Sequence, residues 1–465
     1  MTELALHSTR GRVALAATVA ASGMAMLDAT IVNVAVPHIG RSLHAGVSSL
    51  QWVLTGYLLA LASLILLAGA LGDRFGRRRV FEVGVLWFAG ASLLCGLAPS
   101  IGWLIAARIL QGIGGALLTP GSLAIIQSAF QPGDRAAAVG AWSAFGGAAG
   151  AVGPLVGGSI VDGPGWRWAF LLNVPVAGVV LVCSRAAVPE TRGRHPGRLD
   201  FSGAALAVVT LAAATWALTE AGPRGWGDAA VLSAAGLGVV GLTVFVTHLC
   251  RASDPLVPPS LFASRVFTVL NLGTLFLYAS IGLSFFLVAY ELQVVAGWSA
   301  LKAGLSLLPT TLLMLAFSAR SGALAEKLGA RWQLTVGPLA AAGGLLLLTR
   351  VDAHPRWASD VLPGALLFGV GLVAIVAPLT ASVMAAADQS LVSTASSVNN
   401  AVARAASLAG LAVVPTVSGL ATAHGSIDVT HSYRVALVIA AALTAAAGPV
   451  MYLACAHDVS RPRRR

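Results

Sequence analysis

Gly69-Ala70-Leu71-Gly72-Asp73-Arg74-Phe75-Gly76-Arg77-Arg78-Arg79 returns later in the chain as Gly322-Ala323-Leu324-Ala325-Glu326-Lys327-Leu328-Gly329-Ala330-Arg331. Gly69, Asp73, Arg74, Gly76 and Arg78 are echoed by Gly322, Glu326, Lys327, Gly329 and Arg331, each 253 positions on. A single match is chance. Five in order, each set following the second long apolar stretch of a group of six, mark a duplication. Each copy places an acid, a base and spaced glycines at a helix end, where glycine permits a tight turn. Two uses are open. The arginines can serve topology alone, by keeping the loop on one side of a membrane. The acid and the glycines, which topology does not need, suit a latch in which Asp73 pairs with a basic group or a helix N-terminus across the two halves.

Working outward, the composition fixes the solvent. With 57% hydrophobic and only 10% charged residues, the chain has too little charge to cover a soluble surface. Its 52 glycines suit a bilayer, where contact between small residues holds helices together. Scanning for stretches of about 20 apolar residues gives fourteen spans: 13–36, 51–71, 80–98, 102–128, 136–160, 167–188, 201–219, 229–250, 266–290, 302–322, 331–350, 360–382, 395–421 and 432–455. With the repeat, they organise as an all-α polytopic membrane protein. Residues 1–188 form a six-helix bundle, 189–265 a linker with an inserted hairpin, and 266–465 a second six-helix bundle. Secondary transporters are commonly built from such repeated halves, with the site at their interface.

Charge asymmetry orients the chain. Arg41, Arg167, Arg224, Lys302, Arg350, Arg356 and Arg434 fall in one set of loops, Arg108 and Arg404 lie within spans, and the other twenty of 29 Lys and Arg, among them Arg194, Arg198 and Arg461, Arg463, Arg464 and Arg465, fall on the opposite side. That bias predicts cytoplasmic termini in a bacterial cell (inner) membrane. The net charge of +11 then reports topology and contact with anionic membrane lipids rather than nucleic acid. Arg10 and Arg12 before an apolar run resemble a secretory leader, but the run is long and contains Asp28, so it reads as a retained helix. The four cysteines are scattered singly, without disulfide or metal spacing, and no metal site is expected.

Asp28 is the residue that needs explaining. An acid deep in a spanning helix costs a few kcal/mol by insertion scales and marks a function unless it is a purely structural ion pair. The first span rises from the cytoplasm and the fourth descends. At 1.5 Å per residue, Asp28 lies roughly 12 Å and Arg108 roughly 9 Å below the outer end, so the two depths match. Arginine keeps its proton and favours an ionised partner, while burial favours the neutral acid. Asp28 and Arg108 are therefore the expected proton-coupling pair, with Gln111, three residues after Arg108, placed to orient the guanidinium. Asn33 faces elsewhere. Arg404 is the second half's deep cation, placed to meet backbone carbonyls or substrate. Glu291, at the outer end of the ninth span, reads either as an extra site for protons or cations or, the favoured choice, as a solvated rim charge. Trp142, with Trp52 and Trp216, can stack on aromatic cargo or anchor at the interface. Asn33, Gln111, Trp142, Glu291 and Arg404 make up the candidate substrate cavity.

Several segments together resemble the major facilitator superfamily, and within it the fourteen-helix drug:proton antiporter branch, over essentially the whole chain. Leu27-Asp28-Ala29-Thr30-Ile31-Val32-Asn33-Val34-Ala35-Val36-Pro37 is similar to that branch's first-helix signature. Gly69 to Arg79 resembles the superfamily's loop motif, and Arg108-Ile109-Leu110-Gln111-Gly112-Ile113-Gly114-Gly115 its fourth-helix motif. Gly146 to Gly158 resembles the antiporter motif of the fifth helix, and Trp166 to Pro175 and Ser397 to Arg404 are similar to further family segments. In the fifth helix, Gly146, Gly150, Gly153 and Gly157, with Gly158 beside them, make a smooth stripe, and Pro154 removes a backbone donor. The resemblance associates this stripe with export by exchange; simple small-residue packing is the other reading. Glu291 departs from the family, which usually has an uncharged residue there.

No GxGxxG after a strand and no GxxxxGK[ST] is present, so the glycines do not bind nucleotide. No nucleophile, base and orienting group are recognisable together, so an enzyme is not expected. The resemblance implies a secondary transporter needing no cofactor, driven by the proton gradient and exporting hydrophobic, cationic or aromatic small molecules by alternating access. It implies a monomer without an obligate protein partner. A dedicated exporter of a single antibiotic or metabolite is the alternative, and a non-exporting sensor or lipid-handling protein on the same fold a more distant one.

Overall fold

The structure, a computed structural model, describes residues 3–193, 199–388, 391–423 and 425–458. Arg194, Arg198 and the arginines from Arg461 to Arg465 lie outside the described residues. The described residues form sixteen α-helices: α1 Thr9–Leu43, α2 Val47–Phe75, α3 Arg77–Gly96, α4 Ile101–Ala129, α5 Pro132–Asp162, α6 Arg167–Leu171, α7 Asn173–Ala187, α8 Phe201–Arg224, α9 Ala229–Arg251, α10 Arg265–Val294, α11 Ala300–Ser306, α12 Leu308–Leu328, α13 Arg331–Leu348, α14 Leu362–Ala385, α15 Val392–Val417 and α16 Gly425–Asp458. No strand occurs among them, and a single bridge joins Leu4 to Phe130.

A helix underlies each of the fourteen expected spans. By length and composition, eleven are suited to cross a membrane, or twelve if α11 and α12, which meet at 41°, make one span. The other two expected spans correspond to α5, whose described apolar part is Val152–Asp162, and α13, which carries Arg331 and Gln333 in its first turn. The sixth expected span is broken at Leu172 into α6 and α7.

Two compact units divide the chain: Met1–Ala212 with Gly238–Leu256, and Ala213–Leu237 with Val257–Arg465. The hairpin α8–α9 is thereby shared between them. Within the first unit the helices close to backbone contact: a Cβ on Gly114 of α4 would sit 2.6 Å from the Phe88 nitrogen of α3. In the second unit, one on Gly371 of α14 would sit 2.4 Å from the Ala341 nitrogen of α13. Spacings this short exclude any side chain and bring dispersion contacts to bear where the bilayer offers no hydrophobic drive.

The duplicated loop is duplicated in backbone form. Gly76 ends α2 at φ 113° and Gly329 ends α12 at φ 82°, a region that glycine enters without strain. In the first copy, Glu190 accepts from the Arg78 and Arg79 backbone N–H groups at 3.1 and 3.2 Å and so caps α3. Asp73 is bound locally, by Arg77 at 2.9 Å through Nε and 2.7 Å through Nη2. Arg74 is exposed and lies 6.0 Å from the Phe75 ring centroid. In the second copy, Glu326 and Lys327 are exposed and form no ion pair among the described residues.

At the start of the hairpin, Asp200 accepts the Gly203 N–H at 2.7 Å, the Leu256 N–H at 3.2 Å and a 2.8 Å bond with His248 Nε2 near the end of α9. Burial opposes ionisation of this carboxyl, but the bonds from Gly203, His248 and Leu256 outweigh it and hold Asp200 below the usual carboxylate range. A carboxyl depressed by folding stabilises the fold above its ordinary titration range, and that stabilisation is lost as pH falls through the depressed value. Acidification should therefore loosen the α8–α9 connection. Amide exchange of residues 199–204 is expected to rise on the acid side in the wild type. In Asp200→Asn it should be high at every pH, without that acid-dependent rise.

Candidate functional site

Asp28 is on α1 at the level where small buried residues, Ala21, Ala25 and Ala35, let neighbouring helices approach. Only 1% of the residue is exposed, and the same holds for Arg108 of α4. Arg108 Nη1 donates to Asp28 Oδ2 at 2.6 Å and also to Gln111 Oε1 at 2.6 Å, while its Nε donates to the Val53 carbonyl oxygen of α2 at 3.0 Å. The guanidinium lies 4.3 Å from the Tyr57 ring centroid and 5.7 Å from that of Phe170, so two aromatic faces share its charge.

The second oxygen of Asp28 is also occupied. Gln111 Nε2 donates to Oδ1 at 2.8 Å and Asn173 Nδ2, at the start of α7, donates to it at 3.2 Å. Both amides also donate to Ser92 Oγ of α3, at 3.0 and 2.9 Å, and the Ser92 hydroxyl in turn donates to the Phe170 carbonyl oxygen of α6 at 2.9 Å. Cys95 completes the cluster with a 3.7 Å thiol bond to Gln111 Oε1. Three donors on one carboxylate and an aromatic sandwich on its cation are what a desolvated ion pair needs to be tolerated. Chemically the cluster can hold a charge pair in a dry interior and exchange its members' partners. Among the described residues, no group of three His, Cys, Asp or Glu side chains is arranged to hold a metal.

Residues matched by depth and helical spacing, Asp28, Arg108 and Gln111, are in direct contact. Asn33, half-buried, makes none of these contacts. Ser92, Tyr57 and Asn173 were not singled out from the sequence. Asn173 carried a signal, as an amide just inside an apolar run; a serine or tyrosine in such a run carries almost none. Trp142 of α5 donates through Nε1 to Ser22 Oγ of α1 at 2.9 Å.

The glycine stripe of α5 meets α1 beside this cluster. A Cβ on Gly153 would lie 2.9 Å from Thr30 Cβ and one on Gly157 3.0 Å from Ile31 Cα. Gly150 faces open space, Gly158 is buried, and Pro154 lies inside the helix without ending it. The burial of Gly146 lies outside the described residues.

In the second unit two expectations change. Glu291 is not a solvated rim charge: it is 0% exposed, on the last turn of α10, and accepts from Thr430 Oγ1 of α16. The tight turn after α10 and the α16 helix laid along it exclude the water that a helix end ordinarily has. Arg404 of α15 is half-buried, and it bonds no backbone carbonyl among the described residues; its Nε is buried without a partner.

Residues 18–411 match the family described as Major Facilitator Superfamily. The chain is 38% identical over 448 residues to a puromycin resistance protein of Streptomyces alboniger, covering 92% of this chain and 88% of that one. It is 35% identical to a tetracenomycin C resistance and export protein of Streptomyces glaucescens, over 84% of this chain and 73% of the relative. To a multidrug resistance protein of Mycobacterium tuberculosis it is 34% identical, over 85% and 73%. Among solved structures, a POT family transporter in complex with a thioalcohol-conjugated peptide aligns with TM-score 0.70 at 15% identity over 96% of each chain, a likeness of fold alone. A bacterial homologue of the lysosomal transporter Spinster aligns with TM-score 0.67 at 18% identity over 98% and 99%. A family match across most of the chain and relatives of this identity and coverage agree with the apolar helices and the duplicated loop: the chain is an integral membrane protein belonging to the major facilitator superfamily.

Proposed function

We propose that this protein exports hydrophobic, cationic or aromatic small molecules across the bacterial cell membrane in exchange for protons, by alternating access, with no cofactor. The observation that carries the reading is the Asp28–Arg108 pair, 2.6 Å apart and sealed from solvent, in a chain whose relatives are resistance and export proteins. A structural ion pair alone would gain little over apolar packing of the same volume. Its retention is explained by a carboxyl that changes charge during the cycle.

The proposed cycle follows from the contacts. In this conformation Asp28 is dry and fully partnered, so the exchange step belongs to a second conformation in which water reaches the carboxyl. Protonation there removes the negative member of the pair. Arg108 keeps its bonds to Gln111 and the Val53 carbonyl and its place over Tyr57, so the cluster survives with one net positive charge. That charge repels a cationic substrate, and loss of the proton, which leaves the pair neutral, removes the repulsion. Binding of the proton and of the cargo thus alternate without direct contact between them.

A narrower reading has its own support. Three relatives are named for single compounds, puromycin, tetracenomycin C and methylenomycin A, which favours a dedicated exporter of one antibiotic or metabolite. Challenging reconstituted vesicles under an imposed pH gradient with a panel of dyes and antibiotics separates the two, since only the broad exporter moves most of the panel.

Asp28→Asn, which fixes the uncharged state, is expected to cut gradient-driven export at least tenfold and to weaken counterflow of a cationic substrate, while counterflow of an uncharged substrate without a gradient persists; full gradient-driven export in this variant overturns the proposal. Arg108→Gln strands Asp28 as an unpaired buried charge and should lower stability by about 3–5 kcal/mol, read as a fall in the melting temperature of the purified protein. Adding Asp28→Asn to it should recover a large part of the loss.

A further inference from the structure

Glu291 is a second buried acid, in the unit that does not contain Asp28, and the cycle above makes no use of it. Its surroundings are the inverse of those of Asp28. Oε1 accepts one hydrogen bond, from the Thr430 hydroxyl, and Oε2, also buried, has no hydrogen-bond partner among the described residues. No Lys, Arg or His lies within ion-pair distance of it among the described residues. The charges that face it from neighbouring elements are Arg434 on α16 and Asp352 after α13. Arg434 is exposed and donates through Nε to the Thr349 carbonyl oxygen at 3.1 Å, and Asp352 accepts the His354 N–H at 2.9 Å. Of the two phenols beside it, Tyr433 donates its hydroxyl to the Leu348 carbonyl oxygen at 2.9 Å, and Tyr290 makes no hydrogen bond to it. On α11, Lys302 is placed over the Trp298 ring, and Arg404 on α15 is beside Tyr278.

The backbone adds to this. Glu291 is in the last turn of α10, where the helix dipole presents its negative end, and its own carbonyl already caps the helix by accepting the Val295 and Ala296 N–H groups at 3.0 and 3.2 Å. An anion placed there, without a cation and with one oxygen bare, is opposed by burial, by the helix end and by the lack of donors together. The neutral acid escapes the charge penalties of burial and of the helix end; what remains is one buried oxygen without a partner, a smaller cost than an unpaired anion in the same place.

We propose that Glu291 is a second proton-carrying site, occupied by a proton in this conformation while Asp28 is not, so that each unit contributes one carboxyl to the exchange. Its part in transport rests on the proton-driven export proposed above; its protonation does not. Release requires a conformation that admits water or brings a cation to Oε2.

Infrared difference spectroscopy on the purified, reconstituted protein tests this directly. Stepping from neutral to strongly alkaline pH should remove a protonated-carboxyl C=O band, and that band should be absent in Glu291→Gln and retained in Asp28→Asn. Absence of the band in the wild type, or its persistence in Glu291→Gln, overturns the assignment. So does its loss at neutral pH on adding sodium or tetraphenylphosphonium to a protein that moves no protons, which makes Oε2 a cation site. Should Glu291→Gln misfold, Thr430→Val, which removes only the donor to Oε1, is expected to shift the band without abolishing it, and no shift overturns the assignment. In vesicles, Glu291→Gln should move one proton fewer per substrate than the wild type; an unchanged ratio overturns the transport role. Because the infrared result needs no transport, a failure of the export reading, seen as an unaffected Asp28→Asn, is distinguishable from a failure of this one.

Discussion

A carboxylate and a guanidinium facing each other in a medium without water constrain everything around them. Neither charge is tolerable at that depth without a partner or water, so in this closed arrangement each remaining lone pair and N–H must be answered from some helix. The answers come from six: Asp28 on α1, the Val53 carbonyl and Tyr57 on α2, Ser92 on α3, Arg108 and Gln111 on α4, the Phe170 carbonyl on α6 and Asn173 on α7. The first unit is therefore organised around the polar cluster as much as by small-residue contacts. Moving any one of these helices leaves a buried donor or acceptor unpaired, which makes the cluster a cooperative element with few permitted arrangements.

The helix that carries Asp28 is held on another face by α5. Gly153 and Gly157 bring that helix against Thr30 and Ile31, two and three residues beyond the acid. A stripe without side chains gives close contact but few interlocking steps, so α5 resists sliding along α1 less than a ridge of larger residues would. The sequence offered export and plain packing as two readings of these glycines, and the contacts show the close packing. The packing is tightest at 153 and 157 and open at Gly150, and nearer the start of α1 the Trp142–Ser22 hydrogen bond joins the two helices again.

Much of the fold was legible because lipid imposes one requirement on every span, and length and apolarity report it directly. Each of the fourteen expected stretches contains a helix, and the 253-residue echo predicted two loops whose glycines both adopt positive φ. The break at Leu172 carried a signal that a count of apolar residues passes over: Pro175 lacks the N–H that a continuous helix would donate to the Leu171 carbonyl, and is tolerated without that loss only in the first turn of a new helix. For the site, Asp28, Arg108 and Gln111 could be matched because depth and the i, i+3 rule are sequence quantities. Ser92 and Tyr57 could not, since their roles depend on which faces of α2 and α3 turn inward. Glu291 was misjudged for the same reason: its cover includes Thr430, 139 residues away, and no local pattern announces a neighbour at that separation.

The two buried acids show how little residue type alone decides. Both sit in apolar helices, yet one has a guanidinium and two amides and the other a single hydroxyl. A carboxyl's charge state follows from the donors it is given, and here the donors differ although the helices that supply them descend from one duplicated plan. Duplication supplied matching scaffolds; substitution then set unequal environments within them. In a symmetric pair, both acids would gain and lose protons under the same conditions, and neither state of the protein would be favoured by their difference. In the exchange proposed above, unequal surroundings remove that degeneracy, because a conformational change that hydrates one carboxyl need not hydrate the other, and the order of proton steps becomes a property of the fold rather than of the solution pH.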